Sequence, residues 1–256
     1  QSFWKLQNKF QKILIPNFNL IKLTNYVKNN ISNAILFINM PYTLSCFSQP
    51  IKQLIDNFES GKVTTIYGNS SSGKTTAALL ATISCAKNNG KVVFIDNESG
   101  FNPDRLSQLY FGDINQILDN IFLFQVNTFD EQHDAVLKLK KICEKDSVKL
   151  VVVNSIGKLY RSVLNDDHKK INEMMSEQMV MLYRIARDLD KVVLLTNQVY
   201  STMNESGMLK MVGGKFIEKF SKIIIEMKKN QQTHSAKLTK YKYSEDDKTH
   251  PNLNKK

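Results

Sequence analysis

Residues 62–76 read "KVTTIYGNSSSGKTT": a β-branched run ending at Gly68, a Gly/Ser loop, then a lysine and two threonines. The second half, "GNSSSGKTT" (68–76), fits the spacing G-x-x-x-x-G-K-[ST]. A strand pattern precedes it and an Ala- and Leu-rich helical pattern over 74–87 follows, which is the context this spacing requires. Glycines let backbone N–H groups turn inward around phosphate oxygens, and the start of the following helix adds partial positive charge. Gly68, Asn69, Ser70, Ser71, Ser72, Gly73, Lys74, Thr75 and Thr76 are therefore the expected cradle for a nucleoside triphosphate. Lys74 is expected at the β and γ phosphates and the Thr75 hydroxyl on Mg2+. An ordinary Gly/Ser-rich turn is the alternative.

Outward from this loop the chain alternates strand and helix. "KVVFID" (91–96), "IFLFQV" (121–126), residues 149–153 and "KVVLLT" (191–196) are strands almost free of charge. Helices are expected over 74–87, after Pro103, from Thr128 to about Lys145, near 168–189 and near 214–221. Thr128 and Glu131 have the capping-box spacing. "KIIIEMK" (222–228) and "AKLTKYKY" (236–243) are expected to pair as a C-terminal β-hairpin. Uncharged strands separated by helices predict an α/β fold: a mostly parallel sheet with helices on both faces.

Bulk properties narrow the setting. In 256 residues, 42% hydrophobic and 23% charged content suits one globular core with small appendages. Cys46, Cys85 and Cys143 are widely spaced, which argues for a reducing compartment and against a structural zinc site. The absence of a bilayer-length apolar run argues against a membrane span, and the cytoplasm is the expected location. The net charge of +11 sits at the ends. Residues 1–39 hold five lysines and no acid, and residues 228–256 hold eight lysines against three acids. Basic tails of this kind contact nucleic acid phosphates or are simply solvated. Residues 1–39 begin with Gln1 and show no clear period, so Met40 is the expected natural start, a small helical extension being the alternative. The core is expected over 40–243, followed by a basic and polar tail over 244–256.

Five strings carry a resemblance: "YGNSSSGKT" (67–75), "IDNESGFNPDRL" (95–106), "LVVVNSI" (150–156), "TNQVY" (196–200) and "VGGKFIEKFSKIII" (212–225). Together they resemble the RecA/RadA recombinase superfamily, most closely its archaeal RadB branch, over roughly residues 45–243. The helix-hairpin-helix domain that precedes the core in RadA-like recombinases has no visible counterpart, which favours RadB. The resemblance implies a RecA-like ATP-binding core. It gives Glu98 the role of general base, with a plain surface loop glutamate as the alternative. Gln198 becomes the γ-phosphate sensor, the alternative being an amide that caps its own loop. Arg105 is expected to stack on adenine, or else to serve as a helix-surface ion-pair partner.

DNA contact in that superfamily comes from loops after the fourth and fifth strands. Here these are 158–170, with Lys158, Arg161, His168, Lys169 and Lys170, and 201–213, with Gly207 and Lys210, followed by Lys215. Asp166 and Asp167 dilute the first loop, and only Tyr160 and Tyr200 offer stacking faces nearby, so weak binding of single-stranded DNA is expected. "KLTKYKY" (237–243) either assists or is an edge strand kept soluble by lysine.

One letter departs from the pattern. The fourth strand ends in Asn154, where such ATPases carry an aspartate that holds water on Mg2+. Loss of that charge is expected to cost about 10- to 100-fold in metal affinity or activity. Alternatively Asp96 or a shifted water replaces it. The implied function is an ATP- and Mg2+-binding RecA-fold protein of DNA repair and homologous recombination. It would bind DNA weakly and assist or regulate a RadA-type recombinase or another repair protein, with weak or absent hydrolysis. A DNA-dependent ATPase with real turnover and a KaiC-like signalling ATPase are the alternatives, although KaiC-like proteins commonly carry paired glutamates where only Glu98 stands here. Oligomerisation stays open.

Overall fold

The computed structural model describes residues 41–46, 48–164, 167–201, 209–230 and 233–241. The expected extension 1–39, the tail 244–256, Met40, Asp166, Gly207, Lys242 and Tyr243 lie outside the described residues.

In chain order the elements are β1 (Thr43–Ser45), α1 (Gln49–Lys52), β2 (Asn57–Glu59), β3 (Val63–Gly68), α2 (Lys74–Ala86), β4 (Lys91–Asp96), α3 (Pro103–Leu109), α4 (Ile114–Leu118) and β5 (Ile121–Gln125). They continue with α5 (Phe129–Cys143), β6 (Val148–Asn154), α6 (Lys158–Val163), α7 (His168–Leu189), β7 (Val192–Asn197), β8 (Val199–Ser201), β9 (Leu209–Met211), α8 (Gly214–Phe220), β10 (Ile223–Lys229) and β11 (His234–Tyr241). The main sheet has seven strands in the order β11-β10-β3-β7-β6-β4-β5. Every pairing is parallel except β10 with β11, which is the expected hairpin.

Uncharged strands are needed because both faces are covered, and residue parity assigns each side chain to a face. Val93, Ile95, Val151, Val153, Val193 and Leu195 share one core with Val136 and Leu139 of α5 and Met175, Met179 and Leu182 of α7. Their neighbours Val92, Phe94, Leu150, Val152, Val192 and Leu194 point the other way, into a core with Ala77, Ala78, Ala81 and Cys85 of α2. Fully burying one such side chain contributes roughly 1.5–3 kcal/mol. Helix α7 buries Ile171, Met174, Met175, Gln178, Met179, Leu182, Ile185 and Ala186, an i, i+3, i+4 stripe along 22 residues. Asp167 caps its start by accepting hydrogen bonds from the Lys169 and Lys170 N–H groups.

Three expectations change. The segment 158–170 is not one loop: Lys158–Val163 forms α6, and α7 begins at His168. Its basic residues are therefore fixed on helices. Strand β5 is not a buried strand but the sheet edge, where Phe122 is 43% and Leu123 38% exposed. The capping box is shifted by one residue. Thr128 Oγ1 accepts from the Glu131 N–H, but Glu131 Oε2 accepts from Asn127 rather than from the cap residue. No helix among the described residues is long and apolar enough to cross a membrane.

Because β3, β4, β6 and β7 are parallel, their carboxyl ends meet at one edge of the sheet. Tyr67 lies opposite Asn197 and Asp96 opposite Asn154. Open parallel sheets bind ligands at this edge.

Candidate nucleotide-binding site

The loop between β3 and α2 folds as its glycines dictate. At Gly68 a Cβ would overlap the Met227 carbonyl of the neighbouring β10, and Gly73 caps α2 in the left-handed region at φ 96°. Ser71 at φ 60° and Ser99 at φ 54° place backbone strain in the two loops that face each other across the site. Lys74 Nζ donates to the Asn69 carbonyl at 2.6 Å and to Ser72 Oγ at 3.4 Å. Burial pushes its pKa below that of an ordinary lysine, while the nearby Glu98 carboxylate partly offsets this.

A cavity of about 520 Å³ opens here. Gly68, Asn69, Ser70, Ser71, Gly73, Lys74, Thr75 and Thr76 line it, together with Glu98, Arg105 and Gln198 from three other segments. Of the expected cradle only Ser72 does not line the cavity; it is buried and accepts from Lys74 instead. Glu98 Oε1 accepts from Gln198 Nε2 at 2.6 Å and from Ser155 Oγ at 2.9 Å, so the residues expected as base and sensor touch. Arg105 lines the cavity, and its Nη1 donates to the neutral Gln108 Oε1 on its own helix at 2.7 Å, a hydrogen bond and not an ion pair.

Behind the cavity wall, Asn154 Oδ1 accepts from Thr75 Oγ1 at 3.2 Å and from Thr196 Oγ1 at 2.8 Å. Asn154 Nδ2 donates to Asp96 Oδ1 at 3.1 Å. Beside this lies a buried amide chain. Asn97 Nδ2 donates to Gln132 Oε1 at 2.7 Å, and Gln132 Nε2 donates to Gln178 Oε1 at 2.8 Å. Asn97 also grips Ser155 from both sides, donating to its carbonyl and accepting from its N–H. These contacts fix the backbone that carries Ser155, and Ser155 in turn holds Glu98.

The donor set fits Mg2+ bound with a nucleotide. Among the described residues no three His, Cys, Asp or Glu side chains gather to hold a metal alone. Mg2+ in such sites takes one or two protein oxygens and completes its shell with phosphates and water. Thr75 Oγ1, anchored by Asn154, is the protein oxygen available for that purpose.

Four site residues were given no role in the sequence reading, although Val199 and Ser155 lie within the quoted strings. Val199, Lys229 and His234 also line the cavity, and Ser155 holds Glu98. Lys229 and His234 arrive from the β10–β11 hairpin, where His234 Nδ1 lies 3.2 Å from the Ser72 carbonyl. Only the pairing of β10 with β3 brings that hairpin to the loop.

The expected DNA residues do not converge. Arg161 and Lys215 line a second cavity of about 490 Å³, with Tyr160, Tyr200 and Phe216 in its wall. Lys169, Lys170 and Lys210 are exposed and line neither cavity. Lys158 faces the other way, donating to the Asn97 carbonyl at 2.6 Å.

Comparisons with known proteins agree with this geometry. A family model described as Rad51 matches residues 43–246. The "DNA repair and recombination protein RadB" of Archaeoglobus fulgidus is 36% identical over 75% of this chain and 85% of its own length. The proteins of the same name from Methanococcoides burtonii and Methanococcus maripaludis are 37% and 31% identical, over 76% and 74% of this chain and 87% of their own lengths.

Proposed function

We propose a function from one premise: the chain belongs to the Rad51 family, as a RadB-like member. It acts in DNA repair and recombination as an ATP-binding protein, contacts single-stranded DNA weakly, and assists or regulates a RadA-type recombinase. Three unpaired cysteines suit a reducing compartment such as the cytoplasm.

The observation that carries this reading is the single cavity joining Lys74 and Thr75 with Glu98 and Gln198. On binding, Lys74 exchanges the Asn69 carbonyl and Ser72 hydroxyl for phosphate oxygens, which offsets the burial of its charge. Thr75 holds Mg2+, which when bound neutralises phosphate charge. Glu98 is the candidate base that orients and deprotonates the attacking water. Gln198 exchanges its hydrogen bond to Glu98 for the γ-phosphate, so that ATP acts as a conformational ligand on the segment around β8 and β9. The uncharged Asn154 favours slow turnover.

A DNA-dependent ATPase is the second reading, favoured by the direct contact between Glu98 and Gln198 at the cavity wall. Equilibrium ATP binding and steady-state hydrolysis, each with and without single-stranded DNA, separate the two. Tight binding with turnover near background supports the accessory protein. Brisk DNA-stimulated turnover sinks it in favour of the ATPase, and no ATP binding at all sinks both.

A further inference from the structure

Two side chains in the nucleotide cavity come from the β10–β11 hairpin, outside the phosphate-loop motif. Met227 of β10 lies beside Gly68, the last residue of β3. Beyond that pair β3 turns into the loop, while β10 runs on through Lys228 and Lys229, rising about 3.3 Å per residue. The two lysines therefore flank the start of the loop, and alternation sends them to opposite faces. Lys228 is paired, its Nζ lying 3.3 Å from Glu226 Oε1. Lys229 lines the cavity, and its ammonium has no ion pair or hydrogen bond among the described residues. His234 stands directly opposite Lys229 across the hairpin. Its Nδ1 lies 3.2 Å from the Ser72 carbonyl, and a carbonyl can only accept, so Nδ1 is the donor. A Cβ on Gly73 would lie 3.3 Å from Met227 Cε and 3.7 Å from His234 Nδ1, so the hairpin rests directly on the loop.

We propose that Lys229 is a nucleotide-binding residue, a second cation that meets the triphosphate from the β10 side. His234 is the positioning residue that holds the hairpin in place for it through the Ser72 carbonyl. The charges in the cavity fit this role. Lys74, Arg105 and Lys229 line it against the single acid Glu98, and a triphosphate remains anionic with Mg2+ bound. Lys74 and Arg105 each donate already to an internal acceptor, whereas Lys229 has all of its donors available. The target is the outer phosphates rather than the base. Lys74, the residue for the β and γ phosphates, reaches the Asn69 carbonyl at the start of the loop, and Lys229 flanks that same start. This inference rests on the nucleotide reading of the cavity.

The test is equilibrium binding of a fluorescent ATP analogue to the full chain in excess Mg2+, with the neighbouring Lys228→Ala as the control for net charge. Lys229→Ala is expected to lower the affinity by about tenfold, and Lys228→Ala by less than about twofold. His234→Ala is expected to lower it by about 3- to 10-fold. His234→Asn, whose amide nitrogen can stand where Nδ1 does, is expected to recover most of that loss. All of these positions are exposed at a strand end, so the variants keep the fold. Equal affinities of Lys228→Ala and Lys229→Ala overturn the role of the cation. A His234→Asn chain as weak as His234→Ala overturns the brace. Weaker binding of single-stranded DNA by Lys229→Ala, with its ATP affinity unchanged, makes the hairpin a nucleic acid contact and overturns the proposal. Absence of binding to the natural chain instead removes the nucleotide reading, and this inference with it.

Discussion

The nucleotide cavity and the basic groove of Arg161 and Lys215 are opposites in construction. In the first, side chains from four segments hold one another before any ligand arrives: Lys74 to Asn69, Glu98 to Gln198 and Ser155, Thr75 to Asn154. In the second, Arg161, Lys169, Lys170, Lys210 and Lys215 are exposed cations on α6, α7, β9 and α8, and only two of the five share a cavity. The difference is the one that the two proposed ligands would require. A triphosphate with its metal must be met by a few groups at fixed distances, which requires preorganisation. A nucleic acid backbone is a line of charge, and dispersed lysines meet it without fixed geometry.

The largest expected effect tests the preorganised side. Lys74→Met should weaken ATP binding by roughly 2 to 5 kcal/mol, up to three or four orders of magnitude. The same change should raise the Tm of the ligand-free chain, because it removes a buried cation. The sign follows from the lowered pKa of Lys74. Below the lowered folded-state pKa the lysine is charged in both states, and burial of that charge costs stability. The cost fades as pH rises through the lowered folded-state pKa, since the unfolded chain then holds more protons. Differential scanning fluorimetry from pH 7 to 10 reads both trends. A ligand-free Tm that drops at pH 7 would mean Lys74 is held by its neighbours more tightly than its burial costs.

The dispersed side predicts graded behaviour instead. Lys169→Ala with Lys170→Ala should reduce the slope of log affinity for single-stranded DNA against log salt by about 1.4, with only a modest loss at any one salt concentration. Fluorescence anisotropy at several salt concentrations measures it. A collapse to zero binding would show that these lysines belong to a built site after all.

Thiol chemistry sharpens the contrast differently. Burial pushes Cys46 and Cys85 up to about 12 and Cys143 to about 11, so the native chain should react only slowly with a thiol-specific disulfide reagent at pH 8. All three should react at once in urea. Rapid native labelling of Cys85, near the end of α2 remote from the phosphate loop and beside Lys91 at the start of β4, would show that the far end of that helix opens. The smallest effect belongs to neither region. Thr128→Ala removes the cap of α5 and should cost about 1 kcal/mol, a few degrees in Tm.

The same contrast governs what the sequence disclosed. Helix 168–189 and strand 91–96 were legible to the residue, because long periodic or uncharged runs have few other ways to be buried. The loop at 68–76 and the positions of Glu98, Arg105 and Gln198 were legible as strings, and the structure brings them to one cavity. The pairing of Asp96 with Asn154 left only half a trace. Asp96 stood as one of two substitutes for the missing charge, but the residues lie 58 positions apart and only strand register joins them. Lys229 and His234 were missed because a hairpin's reach depends on sheet order. The edge position of β5 was missed for a related reason: "IFLFQ" is as apolar as a central strand, and its composition carries no mark of having one neighbour.

The amide chain from Asn97 through Gln132 to Gln178 has a consequence for how this protein can evolve. Each amide passes its N–H to the next oxygen, so the row has a direction, and Gln178 Nε2 at its end finds no partner among the described residues. Replacing Asn97 or Gln132 strands a buried amide oxygen, at a cost of about 1–3 kcal/mol, whereas Gln132 Nε2 keeps the Ile156 carbonyl if Gln178 is lost. Three positions on a loop and two helices, far apart in the gene, are thereby tied to a common fate. Across descendants they should be kept as a set or exchanged as a set for apolar side chains, with mixed intermediates rare.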